Sequence, residues 1–259
     1  MIEILALHAF DDNYIWLLRA AGYVAVVDPG DAAPVLHHLE QSGDRLCAIL
    51  ATHHHGDHVG GVDELLDRFP VPVYGPALEN IPGVTHPQSG GEHITLAELG
   101  VELEVIAVPG HTRGHIAYYG PSLATVGALF CGDTLFGAGC GRLFEGTPAQ
   151  MQASLARLAV LPAPTSVYCA HEYTQSNLRF ARAVEPNSIA VQRRSEDVAR
   201  ERAAGRATIP TTLRIELDTN PFLRWDAPEV RAAAASRLGR VPANAVETFA
   251  AIREWKNRF

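Results

Sequence analysis

A chain of 259 residues, 47% hydrophobic and 19% charged, has the make-up of an ordinary globular protein: one large domain, or a domain with a modest appendage. Its net charge of −8 argues against a general nucleic-acid surface, and any anionic ligand must be met by local cations. No apolar run reaches the roughly 18–20 residues of a membrane span, the start Met1-Ile2-Glu3-Ile4-Leu5 lacks signal-peptide features, and Cys47, Cys131, Cys140 and Cys169 lack C-x-x-C spacing, so a reducing, cytoplasmic setting is expected.

Strand-like apolar runs fall at 2–7, 14–18, 23–27, 46–51, 71–74, 101–108, 116–119, 125–131 and 166–170. Helical periodicity fits 34–41, 62–69 and 148–161, the last with Thr147 as N-cap and Pro148 in the first helical position. Short strands with helices at intervals predict two packed sheets with helices outside. After about Glu172 the strand-like runs give way to Ala, Arg and Glu, and 176–184, 189–204, 228–238 and 244–257 read as helices. Pro186, Gly205, Pro210, Pro221 and Pro242 mark the breaks between them. The Arg/Glu alternation of 193–206 reads as a solvated helix face.

The chemistry concentrates in Thr52-His53-His54-His55-Gly56-Asp57-His58, directly after an apolar run. His53 and His55 are two apart and share a face of an extended segment, while His54 points away from them. Asp57 and His58 follow where the chain turns and can face a second centre. Imidazole and carboxylate donors suit zinc, iron or manganese, and the lack of thiolates marks a catalytic rather than a structural site. Later apolar runs deliver His111, Asp133 and His171 at their ends. Together these ligand-type residues exceed what one tetrahedral centre can use and suit two metals. His8, His37, His38, His86, His93 and His115 have no spacing that singles them out.

The pattern Thr-His-x-His-x-Asp-His with a later His, Asp and His resembles the metallo-β-lactamase superfamily. Asp12-Asn13-Tyr14, Pro109-Gly110-His111-Thr112, the segment from Phe130 to Phe136 and Gly139-Cys140-Gly141-Arg142 narrow the resemblance to the glyoxalase II, or hydroxyacylglutathione hydrolase, family. The tail agrees, with Ala170-His171-Glu172-Tyr173-Thr174, the segment from Thr219 to Arg224, and Arg253-x-x-Lys256.

The resemblance implies an α/β protein: an αββα sandwich over residues 1–172, carrying the metal site, with a helical substrate-binding domain over 173–259. It implies that His53, His55 and His111 hold one divalent metal, zinc above all, and that Asp57, His58 and His171 hold a second, with Asp133 shared. Asp57 can also serve as a general base. A hydroxide between the metals would attack the thioester of S-D-lactoylglutathione, giving D-lactate and glutathione, the second step of methylglyoxal detoxification. Arg142, Phe144, Tyr173, Arg253 and Lys256 match the family's substrate-binding positions. Arg stands at 142 where many relatives carry Lys, and Phe at 144 where some carry Tyr. A monomer is expected. The rivals are a mononuclear-iron persulfide dioxygenase and a non-catalytic glutathione-binding relative, and the complete ligand set with its basic tail argues against both.

Overall fold

A computed structural model describes residues 2–259, which form two compact units: one of residues up to Ala107 with Arg113–Gly132, the other of Val108–Thr112 with Asp133–Phe259.

In the first unit, strands Glu3–Ala9, Asn13–Ala20, Tyr23–Val27, Arg45–Leu50, Val73–Pro76 and His86–Gln88 form one sheet in chain order. The first three run antiparallel and the later pairings are parallel. Parallel neighbours need crossovers, and helix Ala32–Ser42 supplies the first of them. Ile15, Leu17, Val24, Val26 and Ile49 pack in one core with Val35, Leu36 and Leu39 of that helix and with Val62 and Leu65 of helix Val62–Arg68. Tyr14, Trp16 and Leu18 are buried as well. Burial on both faces is why this strand reads as a continuous apolar run rather than an alternating one.

Strands His93–Leu96, Val101–Ala107, Ile116–Gly120 and Ala128–Gly132 form an antiparallel succession. Tyr118 on the third of them is fully buried and donates its hydroxyl to the carbonyl of Ala51, 2.9 Å away, at the end of a strand of the first sheet. The expected strand at 125–131 begins only at Ala128. A 3-10 turn, Leu123–Thr125, precedes it, with Ala124 and Thr125 at φ of 50° and 61°. Such left-handed backbone cannot continue a strand.

The second unit contains the hairpin Leu135–Phe136/Gly139–Cys140, strand Ser166–Cys169 paired with Thr211–Thr212, and six helices: Pro148–Ala159, Thr174–Val184, Ile189–Ala203, Leu213–Thr219, Pro228–Leu238 and Ala245–Asn257. The sequence reading missed Leu213–Thr219. Its Leu213, Ile215 and Leu217 alternate with polar residues as a strand would, while Thr212 caps it by accepting from the Ile215 amide.

Helix Pro148–Ala159 starts as expected, and the cap is reciprocal. Thr147 accepts from the Gln150 amide at 3.2 Å, and Gln150 accepts from the Thr147 amide at 2.9 Å. Thr147→Ala is expected to cost about 1 kcal/mol of stability, readable as a shifted denaturation midpoint at unchanged slope.

Candidate metal centre and substrate cleft

The first unit gathers His53, His55, Asp57 and His58 at the end of strand Arg45–Leu50. The residues up to His55 have no regular structure, and the four-residue helix Gly56–Val59 carries Asp57 and His58. Close approach to the preceding loop makes this possible. A Cβ at Gly30 would lie 1.9 Å from the carbonyl oxygen of Asp57, so only glycine fits there.

Asp28, buried at the end of strand Tyr23–Val27, organises the cluster. It accepts from the Thr52 amide and hydroxyl, each at 2.7 Å, and lies 3.0 Å from His58 Nδ1. A carboxylate only accepts, so His58 carries its proton on Nδ1 and presents Nε2 as a lone pair. The Thr52 hydroxyl spends its one proton on Asp28. Its contact of 3.1 Å with His53 Nδ1 must therefore be donated by the imidazole, and His53 also presents Nε2. One aspartate thus fixes the tautomers of two predicted ligands.

The spacings within the cluster suit donors around a common ion. His53 Nε2 lies 3.1 Å from His55 Nδ1, and His58 Nε2 lies 3.6 Å from Asp57 Oδ2. Two donors each about 2.1 Å from a tetrahedral zinc stand about 3.4 Å apart. Asn13, itself buried, holds Asp57 by donating to Oδ2 at 3.1 Å. His54 turns aside as expected, with its Nδ1 2.9 Å from Glu79. His115 is fully buried and stacks on His53 with ring centroids 4.5 Å apart, while its Nδ1 lies 3.0 Å from the Ile116 carbonyl. It is a packing partner of His53.

In the second unit, Asp133 lies between two imidazoles. Its Oδ2 is 3.4 Å from His111 Nε2 and its Oδ1 is 3.4 Å from His171 Nε2, so each carboxylate oxygen faces a different ring. Each carboxylate oxygen is thus directed at a separate nitrogen donor. His111 donates from Nδ1 to the Arg142 carbonyl at 2.7 Å, which leaves Nε2 on the Asp133 side. Tyr173 stacks on His171 at 4.7 Å and 5°, and Phe136 meets both rings edge-on. Gly141 is required here, because a Cβ would lie 1.9 Å from the Asp133 carbonyl oxygen.

Beside Asp133 opens a cleft of about 360 Å³, lined by His111, Asp133 and all five predicted substrate contacts: Arg142, Phe144, Tyr173, Arg253 and Lys256. Phe136, Cys140, Ser176 and Asn177 complete the lining, and the sequence reading did not assign them. Arg253 and Lys256 share helix Ala245–Asn257, as their spacing predicts. Arg253 is buried and donates to the Cys140 carbonyl at 2.9 Å, so it anchors the floor as well as charging it. Phe144 stands exposed at the mouth, edge-on to His111 at 5.3 Å. Burial, with repulsion from Arg253 and then Arg179, pulls the Lys256 amine down to about 8. Among the described residues none of Arg142, Arg253 and Lys256 pairs with a carboxylate, although the chain carries a net charge of −8. Cations left thus in a concave site are ready for an anionic ligand.

Asp28 was legible in the sequence only as a residue closing a strand; what reveals its role is its burial beneath His58. Asp28→Asn would set an amide against three N–H or O–H donors, so that its own N–H₂ opposes at least one of them, and it is expected to weaken metal affinity by about 10–100-fold, read by competition with a chromophoric chelator.

The family model described as the metallo-beta-lactamase superfamily matches residues 9–171, and the one described as hydroxyacylglutathione hydrolase C-terminus matches 172–259. The hydroxyacylglutathione hydrolases of Dechloromonas aromatica and Nitrosomonas eutropha are 55% and 49% identical, each over 100% of both chains. Among solved structures, the BLEG-1 B3 metallo-beta-lactamase superposes with a TM-score of 0.63 at 25% identity, covering 86% of this chain and 100% of its own. TTHA1623 in a di-iron-bound form gives 0.60 at 27%, covering 85% and 100%. ETHE1 from Myxococcus xanthus gives 0.66 at 22% over 98% and 91%, a likeness of fold alone. The fold is the metallo-β-lactamase fold with a helical C-terminal region, and among the described residues its histidines and aspartates form groups able to hold a divalent metal.

Proposed function

Because this chain belongs to the hydroxyacylglutathione hydrolase family of the metallo-β-lactamase superfamily, we propose that it hydrolyses S-D-lactoylglutathione at a two-metal centre. It is a metal-dependent hydrolase, and the family's reaction is the hydrolysis of S-lactoylglutathione. In this reading His53, His55 and His111 would hold one ion and Asp57, His58 and His171 the other, with Asp133 available to both. Zinc suits the donors best, with iron and manganese compatible. When bound, the ions supply a water of lowered pKa and a Lewis acid for the thioester carbonyl.

The chain's own residues do the rest. Asp28 and the Arg142 carbonyl keep His53, His58 and His111 in the tautomer that presents Nε2. Asn13 holds the Asp57 carboxylate, which is placed to take a proton from the attacking water. Arg142, Arg253 and Lys256 receive the carboxylates of the glutathione moiety, and Tyr173 and Phe144 flank the thioester. The water oxygen bonds to the carbonyl carbon, the C–S bond breaks, and the sulfur leaves as a thiolate that needs no strong acid. In this reading residues 1–172 supply the metal ligands together with Arg142 and Phe144, and residues 173–259 supply Tyr173, Arg253 and Lys256 to the substrate.

One observation carries this reading most strongly: Asp133 spans two imidazoles at the edge of a cleft whose cations pair with no carboxylate among the described residues. The test compares S-D-lactoylglutathione with a lactoyl thioester of N-acetylcysteamine, which has the same scissile bond and no carboxylates. A kcat/KM at least about 100-fold higher for the glutathione thioester is expected from two or more charged contacts. Equal values would remove the assignment of the cleft to glutathione.

A further inference from the structure

His54, between two proposed ligands, is held by a residue distant in sequence. Glu79 follows strand Val73–Pro76, and its side chain is only 3% exposed. One carboxylate oxygen accepts from the His54 amide at 2.6 Å and lies 2.9 Å from His54 Nδ1. The other accepts from the Gly114 amide at 3.0 Å. The His54 turn carries His53 and His55; the Gly114 turn carries His115, whose ring stacks on His53. Both turns lie outside regular strands; the Ile116 amide donates to the Thr52 carbonyl at 3.0 Å, and the buried carboxylate adds a second link, through residues 54 and 114, between the segments on either side of the His53 ring. The fit is close. A Cβ on Gly114 would lie 2.5 Å from Glu79 Cγ, so glycine there admits the carboxylate.

We propose that Glu79 is a positioning residue that clamps the turn from His53 to His55 against the turn at Gly114 and thereby sets the affinity of the ion held by His53 and His55. This rests on the reading that those two histidines bind metal. Glu79 acts through the backbone of residue 54 and does not touch substrate. A carboxylate is needed because both partners are amide N–H groups, and a glutamine would turn its own N–H₂ on one of them.

The experiment strips the full-length protein of metal and titrates it with zinc against a chromophoric chelator. The cobalt spectrum and the melting temperature of the metal-free form are recorded in parallel. Glu79→Gln is expected to weaken one of two zinc equivalents by about 10–100-fold and to alter the cobalt spectrum, with metal-free melting close to wild type. Gly114→Ala, which displaces the carboxylate sterically, is expected to produce the same loss, and the double variant no further loss. His54→Ala keeps the main-chain bond and retains near-wild-type affinity. Wild-type affinity for both equivalents in Glu79→Gln and Gly114→Ala would overturn the proposal, as would a lowered melting temperature with unchanged affinity. A wild-type protein that binds no zinc tightly would instead remove the metal reading itself, so the two failures are distinguishable.

Discussion

Asp133→Ala is expected to lower kcat/KM for S-D-lactoylglutathione by about 10³-fold or more, the largest effect of any single substitution in this chain. Each of its oxygens faces a different imidazole at 3.4 Å, so the truncation strips both proposed ions of a donor at once. It also leaves the two rings facing each other with no negative charge between them. The side chain is buried, and the variant is therefore expected to bind fewer than two equivalents of zinc while keeping its fold. Zinc content and steady-state kinetics on one preparation check this. Two tightly bound equivalents with near-normal turnover would show that Asp133 is not shared.

Lys256→Ala is expected to act on binding. Losing one charged contact to a substrate carboxylate should raise KM by about 10–100-fold and leave kcat nearly unchanged. The pH dependence sharpens the test. Burial and the neighbouring Arg253 pull the amine from 10.5 down to about 8, so the free enzyme carries the ammonium below pH 8 and loses it above. KM should be flat up to that point and climb beyond it, and the climb should vanish in Lys256→Ala. Lys256→Arg should keep KM low at higher pH, because guanidinium stays charged. For folding the sign is reversed. The unfolded chain holds this proton up to about 10.5 and the folded chain only up to about 8, so the site costs stability at neutral pH. The cost is relieved between those values. A bound carboxylate offsets it by restoring the ammonium's partner. Thermal melts with and without S-D-lactoylglutathione, between pH 7 and pH 10, would read both effects.

The proposed metal residues stand out in the sequence because chemistry and pattern coincide: His111, Asp133 and His171 each follow an apolar run that folds as a strand. The residues that hold them were not legible: Asp28 closes a strand and Glu79 was not singled out, and only their contacts with His58 and His54 give them a role. Polar residues in irregular backbone have no periodicity to report them. Short edge strands such as His86–Gln88 escaped for a similar reason, since three residues cannot show alternation. Helix Leu213–Thr219 escaped because its apolar spacing imitates a strand. The cleft was half-visible. Arg253 and Lys256 fall on one helix face by spacing alone, yet the anchoring of Arg253 on the Cys140 carbonyl joins residues far apart in the chain.

The most direct test is to strip the protein of metal, titrate zinc back and follow the hydrolysis of S-D-lactoylglutathione at each addition. Activity should be absent in the stripped protein, rise with added zinc and level off at two equivalents per chain. A protein holding two equivalents that leaves the thioester intact would contradict the account at its centre.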